Sequence, residues 1–574
     1  MKNFAQLKKN LKEDFIDLKV IKVAILADTA TQFLKQALQG RGYDNRYNLK
    51  IWEGGFQQTE LQVFSPTSEL YRFEPEIVII FHSSHKLLAK YSKLAPEQYT
   101  LLASNELNLI QNIHSTISNR LNAQIIYYNY PEIDDSVFGN FSNKTDSSFL
   151  FQLRKLNYEL MLYAQHNPHF HICEISSIQN RIGKQNFFQP AIYINTEMVL
   201  SIDALPTIAS KTVDLISALN GSFKKCVILD LDNTLWGGII GDDGLENIQI
   251  GSLGIGKAFT EFQYWIKKLK NRGIILAACS KNSELVAKEP FEKHPDMILQ
   301  LEDFAIFVSN WESKLDNIRN IQTALNIGFD TMVFLDDNPF ERNMVREYLP
   351  EVTVPELPED PADFLEYLYS LNLFETASFS EEESGRNKLY QLAAERNITQ
   401  QKFANEDEFL QSLNMIAVVE PFNELNTPRV AQLSQRSNQF NLRTVRYSES
   451  DIATLARSKF HFTFVFSLQD KFGNHGLVCV VVLKKEDAQA LFIENWFMSC
   501  RVLNHGMENF VFNTISGFAR ENGFSNLKGE YIPTAKNDLV EYLYFNLGFE
   551  KQGDYWKCSL NSAGSKKSFI QMKA

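Results

Sequence analysis

Cysteine is scarce in this 574-residue chain: six residues, scattered, with no Cys-x-x-Cys pair. That spacing indicates neither a disulfide framework nor a zinc knuckle. No run of about 18 apolar residues occurs, so no segment is expected to span a membrane. Positive charge is not in excess, since 57 Lys and Arg face 69 Asp and Glu, for a net charge of −12 and a pI near 5.5. Such a balance argues against nucleic acid or an anionic membrane as the main partner. Internal repeats and low-complexity tracts are also missing. The opening MKNFAQLKKNLKEDFIDL sets charged residues among apolar ones at helical spacing and lacks the apolar core of a signal peptide. A cytoplasmic location is the expectation.

What remains is globular, with 44% hydrophobic and 22% charged residues, and too long for one core. Three domains are expected, over 1–205, 206–375 and 376–574. In the first, IKVAILAD (21–28), PEIVIIFHS (75–83), NAQIIYYNY (122–130) and HFHICEIS (169–176) are strand-like runs between helical or loop patterns. Strands alternating with helices imply a parallel sheet. The second block repeats the alternation more tightly and leaves through the proline-rich VPELPEDPADF (354–364). In the third, the polar helical pattern SEEESGRNKLYQLAAER (380–396) precedes TFVFSL, GLVCVVVL and ALFIENWFM. These are consecutive strands without helices between them, so a meander is expected, followed by two helical segments.

The middle block carries the chemistry. In CVILDLDNTLWGG, Cys226 to Leu229 suit a strand buried on both faces. Residues i and i+2 of a strand share a face, so Asp230 and Asp232 emerge together at its carboxyl end, where ligands bind in open α/β sheets. Two neighbouring carboxylates repel, and a divalent cation relieves this; with only oxygen ligands on offer, Mg²⁺ fits. A paired-Asp turn without function is the bland alternative. Three further features weigh against it: GIILAACSKN ends in Ser280, WESKLDNI offers Lys314 at a helix start, and DTMVFLDDNPFER ends in Asp336 and Asp337.

This constellation resembles the haloacid dehalogenase superfamily of phosphotransferases. The resemblance implies that Asp230 is the nucleophile that becomes an aspartyl-phosphate, and that Asp232 is general acid and then base. It implies that Thr234 helps to hold the nucleophile, Ser280 bonds a phosphoryl oxygen, and Lys314 neutralises charge. Mg²⁺ would be held by Asp230, the main-chain carbonyl of Asp232 and Asp337, with Asp336 behind. Relatives acting on small molecules often insert a cap domain. Here the first gap holds only a hairpin-like flap, WGGIIGDDGLENIQIG, and one helix, so the domain is read as capless.

The flanks resemble other families. KNDLVEYLYFNLGFE matches, at Asn537, Leu543, Tyr544, Gly548 and Phe549, the pattern that closes Gcn5-related N-acetyltransferase (GNAT) folds. SCRVLNHGMENFVF resembles the loop that cradles the diphosphate of coenzyme A, with Arg501 and Gly506 in place and Asn504 where the first glycine is usual. The resemblance makes Arg501, Gly506, Asn537 and Tyr544 cofactor-binding candidates, with a pantetheine arm between the strands and Tyr544 as proton donor to a leaving thiolate. The alternative is a GNAT fold kept for carrier docking without acetyl transfer. In the first block, ILADTAT resembles the turn of SGNH-type hydrolases, with Thr29 in place of serine. FHSSHKL lacks that family's asparagine, so a noncatalytic SGNH/flavodoxin-like α/β domain is expected. HNPHFH (166–171) is read as surface or strand histidines and not as a metal site.

The order of a degenerate SGNH-like block, a capless phosphatase and a GNAT-like block resembles the FkbH-like family. With it come DLDNTLWGGIIGDDG, LAACSKN, FLDDNPFER and MSCRVLNHG. The resemblance implies glyceryl transfer from 1,3-bisphosphoglycerate to the phosphopantetheine thiol of an acyl carrier protein, with phosphate released. Cys279 would then be either the thiol that carries the glyceryl group or a packing residue. The fold class expected is multidomain α/β with a central capless Rossmann-like parallel sheet and a C-terminal α+β domain. Two other readings stay open: a plain Mg²⁺-dependent phosphatase of a phosphorylated metabolite, and a noncatalytic scaffold.

Overall fold

Apolar runs bounded by polar turns become the strands of three sheets. The structure is a computed structural model and describes every residue except Met1, Asp14, Asp17, 380–388, 393–395, 397–404, Asn504, Ala535 and Ala574. The side chains of Glu406 and Arg501 are likewise outside the described set. Contacts divide the chain into two units, Met1–Ala218 and Leu219–Ala574. All but the last residue of the helix Leu205–Leu219 belongs to the first unit. Its apolar stripe, Ile208, Val213 and Ile216, is buried there, and Thr212 bonds Tyr128 at 2.7 Å. Among the described residues no helix is long and apolar enough to cross a membrane.

The first unit holds a parallel sheet of β1 (Lys19–Ala27), β2 (Tyr47–Glu53), β3 (Ile77–Phe81), β4 (Gln124–Tyr128) and β5 (Phe170–Cys173), in the order β2-β1-β3-β4-β5. This is the doubly wound, flavodoxin-like order. The edge strand β2 was not foreseen. Its YNLKIWE buries alternate residues only, a weaker signal than the continuous apolar run of β3.

The second unit opens with β6 (Cys226–Leu229), β7 (Ile275–Ser280), β8 (Ile306–Ser309) and β9 (Met332–Leu335), a parallel sheet ordered β8-β7-β6-β9. Alternate residues of β6 face opposite layers. Val227 and Leu229 pack with the helix Gly256–Asn271, and Cys226 and Ile228 with the helix Lys314–Leu325. The gap after β6 holds a flap pinned by Gly237 and Gln249, which bond to each other twice (2.7 and 3.0 Å), and then that single helix. No cap domain is inserted.

The last sheet comprises β10 (Ile416–Glu420), β11 (His461–Asp470), β12 (Gly473–Lys485), β13 (Ala490–Met498), β14 (Asn526–Glu530), β15 (Glu550–Gln552), β16 (Tyr555–Ser559) and β17 (Gln571–Met572). Strands β11 to β13 form the expected antiparallel meander, and β10, separated from β11 by two helices, adds an antiparallel strand to its edge. The chain then passes through the helix Met507–Glu521 and returns as β14, parallel to β13. A meander followed by this crossover is the GNAT-like arrangement. The helical pattern expected over 380–396 lies largely outside the described residues.

Candidate active site

Residues 230–234 leave the end of β6 and turn sharply, with Asn233 in the left-handed region (φ 53°) and its side chain accepting from the Gly238 amide at 2.9 Å. The carboxylates Asp230, Asp336 and Asp337 meet there. Each offers an oxygen, and the three lie within 4.8 Å of one another. Among the described residues this is the one cluster of its kind. Lys314 opens the helix that follows β8 and is buried between two of them, 2.8 Å from Asp230 and 2.6 Å from Asp336. An ammonium buried this deeply persists only because both carboxylates surround it.

The electrostatics follow from burial. Desolvation pushes Asp230 upward, partly opposed by Lys314, while the neighbouring Asp336 pushes it further up. Burial works against the charge on Lys314, but Asp230 and Asp336 outweigh it and hold the ammonium above its ordinary value. Asp337 is raised by desolvation and by repulsion from Asp336. Three crowded carboxylates with a single ammonium between two of them are short of positive charge, which is what a cation supplies.

Asp336 and Asp337 are not equivalent. Asp336 is wholly buried and accepts from Lys314 through one oxygen and from the Asn338 amide (2.8 Å) through the other. Asp337 is half-buried, and among the described residues no other residue donates to its carboxylate. Arg342 was not singled out from the sequence. It is buried and donates to the main-chain carbonyls of Asp336 (2.8 Å) and Asp337 (2.6 Å), while also pairing with Glu356. Its place one turn into the helix Pro339–Tyr348 was the only local signal.

Asp232 takes the other side of the opening. Its Oδ1 accepts from the buried indole of Trp236 and from the Ile240 amide, both at 3.0 Å; Asn282 approaches Oδ2 at 3.5 Å. Desolvation raises its pKa, and these donors restrain the rise. Ser280 ends β7 and is buried.

Two candidates, Thr234 and Cys279, take places that the sequence did not specify. Thr234 was expected to hold the nucleophile; its buried hydroxyl instead accepts from the Asp337 amide at 3.2 Å, tying the β6 turn to the acidic loop. Cys279 is a core residue. It faces the apolar layer of Ile228, Ala277, Leu315 and Ile318, and desolvation pushes its thiol up to about 12. A thiol in that state is protonated at neutral pH and walled off from solvent, which fits packing and not thioester chemistry. Strand parity contained this answer, because Cys279 and Ser280 are adjacent and must face opposite ways.

The C-terminal candidates are also placed. Strands β13 and β14 pair only from Ala490 to Ile493 and from Asn526 to Gly529, then separate. The wedge between them was expected to take a pantetheine arm. It is filled by the chain itself: Met498 donates to Phe440 (3.0 Å), Leu442 to Trp496 (3.1 Å) and Ile532 to Leu442 (2.9 Å), all main chain to main chain. Arg443 then spans the wedge, bonding the Glu494 carbonyl (2.9 Å) and the Glu530 carboxylate (2.8 Å). Asn537 is buried and structural, donating to the carbonyls of Asn441 and Ile532, both at 2.9 Å. Tyr544 is wholly buried, its hydroxyl against Gly529, and burial raises its pKa strongly. Gly506 caps the helix Met507–Glu521 in the left-handed region (φ 71°); Asn504 and the Arg501 side chain lie outside the described residues. The expected coenzyme A or pantetheine site in this cleft is therefore closed, because the amides and carbonyls it would use are already bonded. Calorimetry with coenzyme A at millimolar concentration is expected to show no binding heat. Saturable micromolar binding would show that residues 440–442 give way.

In the first unit, the Thr29 hydroxyl donates to the Glu197 carbonyl, and Gln124 bridges His169 and His171 at 2.9 Å each. Neither group is arranged as a nucleophile or a metal site.

Known proteins resemble parts of this chain. Residues 22–217 match the family described as FkbH, N-terminal domain. The chain is 57% identical to the N-terminal part of protein BF1531 from Bacteroides fragilis, a structure containing a phosphatase domain and complexed with Mg. The match covers 66% of this chain and all of that one, with a TM-score of 0.64. The ribosomal-protein-S18-alanine N-acetyltransferase of Escherichia coli is 14% identical over 26% of this chain and 98% of its own, with a TM-score of 0.21. The GNAT domain of S. lividans PAT is 12% identical over 25% of this chain and 89% of its own, with a TM-score of 0.20. No curated protein matches. The extent and identity of the match to the Bacteroides protein, together with the N-terminal family match, place this chain in the FkbH-like family, with a phosphatase domain of the haloacid dehalogenase type.

Proposed function

We propose that the chain is a Mg²⁺-dependent phosphotransferase that works through an aspartyl-phosphate on Asp230. The observation that carries this reading is the ion-paired Asp230–Lys314–Asp336 group with Asp337 beside it at the end of the central strand. Its donors are all oxygens, which suits a hard divalent cation. Asp230, Asp337 and the Asp232 carbonyl would hold the metal, with Asp336 behind, since both oxygens of Asp336 are already engaged. Mg²⁺ bound there relieves the repulsion among the carboxylates and draws charge from the phosphoryl oxygens.

In the first step an Asp230 oxygen attacks phosphorus, the bond from phosphorus to the leaving oxygen breaks, and Asp232 gives that oxygen a proton. In the second, water attacks the same phosphorus while Asp232 takes its proton; the bond to Asp230 breaks and phosphate leaves. Trp236 and Ile240 hold one oxygen of Asp232, which leaves the other for proton transfer. Ser280 donates to a phosphoryl oxygen, and Lys314 balances its charge.

Membership in the FkbH-like family supports a finer reading: glyceryl transfer from 1,3-bisphosphoglycerate to an acyl carrier protein. The carrier's thiol attacks the acyl carbon, a C–S bond forms, and the C–O bond to phosphate breaks. The remaining phosphomonoester is the type of bond that the Asp230 route hydrolyses. Burial of Cys279 favours direct transfer to the carrier. It favours equally a second reading, a plain phosphatase of a phosphorylated metabolite. Intact-mass analysis of a carrier protein incubated with enzyme and 1,3-bisphosphoglycerate separates the two, since only glyceryl transfer adds a hydroxylamine-labile mass. Cys279→Ala should keep phosphate release and lose at most about 1 kcal/mol of stability. Loss of carrier loading alone in that variant would restore the thiol role.

The ligand order has its own test. Asp337→Asn should raise the Mg²⁺ requirement about tenfold or more, with activity partly recovered at high metal. Asp336→Asn should not recover, because it takes from Lys314 the nearer of its two carboxylate partners, which added metal does not replace. The reverse pattern would exchange the two roles.

A further inference from the structure

The first unit contains a cavity of about 260 Å³ that the phosphotransfer chemistry does not use. It lies beyond the carboxyl ends of β1 and β3, where the sheet order reverses and open α/β sheets take their ligands. Asp28, Glu60 and Glu106 line it together with Lys86 and Lys90, and Leu87 and Leu109 give it an apolar side. Both ammonium groups are already held, Lys86 by Glu197 at 2.6 Å and Lys90 by Glu106 at 2.5 Å. Among the described residues, Asp28 and Glu60 have no ion-pair partner, so the wall carries negative charge that nothing in the protein matches. Asp28 is the more constrained of the two. Its oxygens accept from the Ser83 amide (2.9 and 3.0 Å), and desolvation pushes it up to about 7 against those bonds and the field of Lys86. A cation in the cavity would stabilise the charge that burial opposes.

We propose that this cavity binds a small alkylammonium ion, its charged head at Asp28 and Glu60 and its carbon chain on Leu87 and Leu109. An anion finds no unpaired ammonium on the wall, and an uncharged ligand leaves both carboxylates without a counter-charge. A metal ion lacks converging ligands here, since among the described residues such atoms gather only at Asp230, Asp336 and Asp337. An ammonium needs no such convergence. It carries three donors, and its attraction to carboxylates on separate elements extends beyond contact distance. Leu87 and Leu109 then favour an organic cation over a hydrated inorganic one. The volume sits below that of pockets for drug-sized ligands, which sets the size class.

Saturation-transfer NMR on the full chain tests this with n-butylamine, 1-butanol and butyrate, which share a carbon chain and differ in the charge of the head. Mg²⁺ is held in excess, so that the carboxylates around Asp230 do not compete for the amine. The expected result is transfer to butylamine, with affinity about tenfold or more above that of either other probe. Asp28→Asn, which can still accept from Ser83, should weaken butylamine about tenfold. Glu60 is exposed, so Glu60→Gln tests the charge without touching the core and should weaken it about threefold. Leu109→Trp, which fills the cavity, should abolish the signal. No transfer to butylamine, equal transfer to butanol, or full affinity in both carboxylate variants would overturn the proposal. A signal that survives Leu109→Trp would place the amine on another acidic surface and equally overturn it.

Discussion

Asp230→Asn should reduce phosphate release by roughly a thousandfold or more, while the protein stays folded. The amide keeps the shape of the carboxylate but supplies neither the nucleophilic oxygen nor the charge that Lys314 and a metal engage. The fold should tolerate the change because Lys314 keeps its 2.6 Å contact with Asp336. Burial already disfavours the charged form of Asp230, so a neutral side chain there removes a desolvation cost as well as an attraction. Release of phosphate from an aryl phosphate, measured beside a melting curve, decides the matter. Turnover close to that of the unaltered protein would remove Asp230 from the nucleophile's role.

Lys314→Met is expected to cost both activity and stability. The ammonium is the shared partner of two buried carboxylates, and removing one member of a buried charged group typically costs about 3–5 kcal/mol. The deficit should depend on pH. Without the lysine, which opposes the rise, Asp230 has its folded-state pKa raised further above that of the unfolded chain. Stability is then fully present at pH below the unfolded carboxylate range and is lost as pH rises through the raised value. Denaturant unfolding should therefore show a small difference from the unaltered protein near pH 5 and a large one near pH 8. Added Mg²⁺ should narrow the gap at pH 8 by supplying the missing charge. A deficit that stays constant with pH would mean that Lys314 acts through packing alone.

The elements that carry these effects were legible where the signal is local. Continuous apolar runs ending in Asp230, Ser280 and Asp336 marked buried parallel strands and placed their polar ends at one edge of a sheet. Strands β2 and β8 were missed because one buries alternate residues and the other is only four residues long. Cys279 was left open although its neighbour Ser280 already implied the opposite face. The partner of Thr234 was misjudged for a different reason. The family resemblance implied that it helps to hold Asp230, while its hydroxyl accepts from the loop after β9, more than a hundred positions away.

By itself, the sequence determined the buried parallel strands, the polar residues Asp230, Ser280 and Asp336 at their ends and the gap after β6 too short for a cap, because each depends on the pattern within one run or gap. Tertiary structure alone decided that Lys314 joins Asp230 to Asp336, that Arg342 braces the acidic loop, and that residues 440–442 close the wedge between β13 and β14. Those outcomes depend on which main-chain amide meets which carbonyl across long separations. A buried donor must be satisfied by whatever acceptor the folded chain brings near, and the pattern within a segment does not name that acceptor.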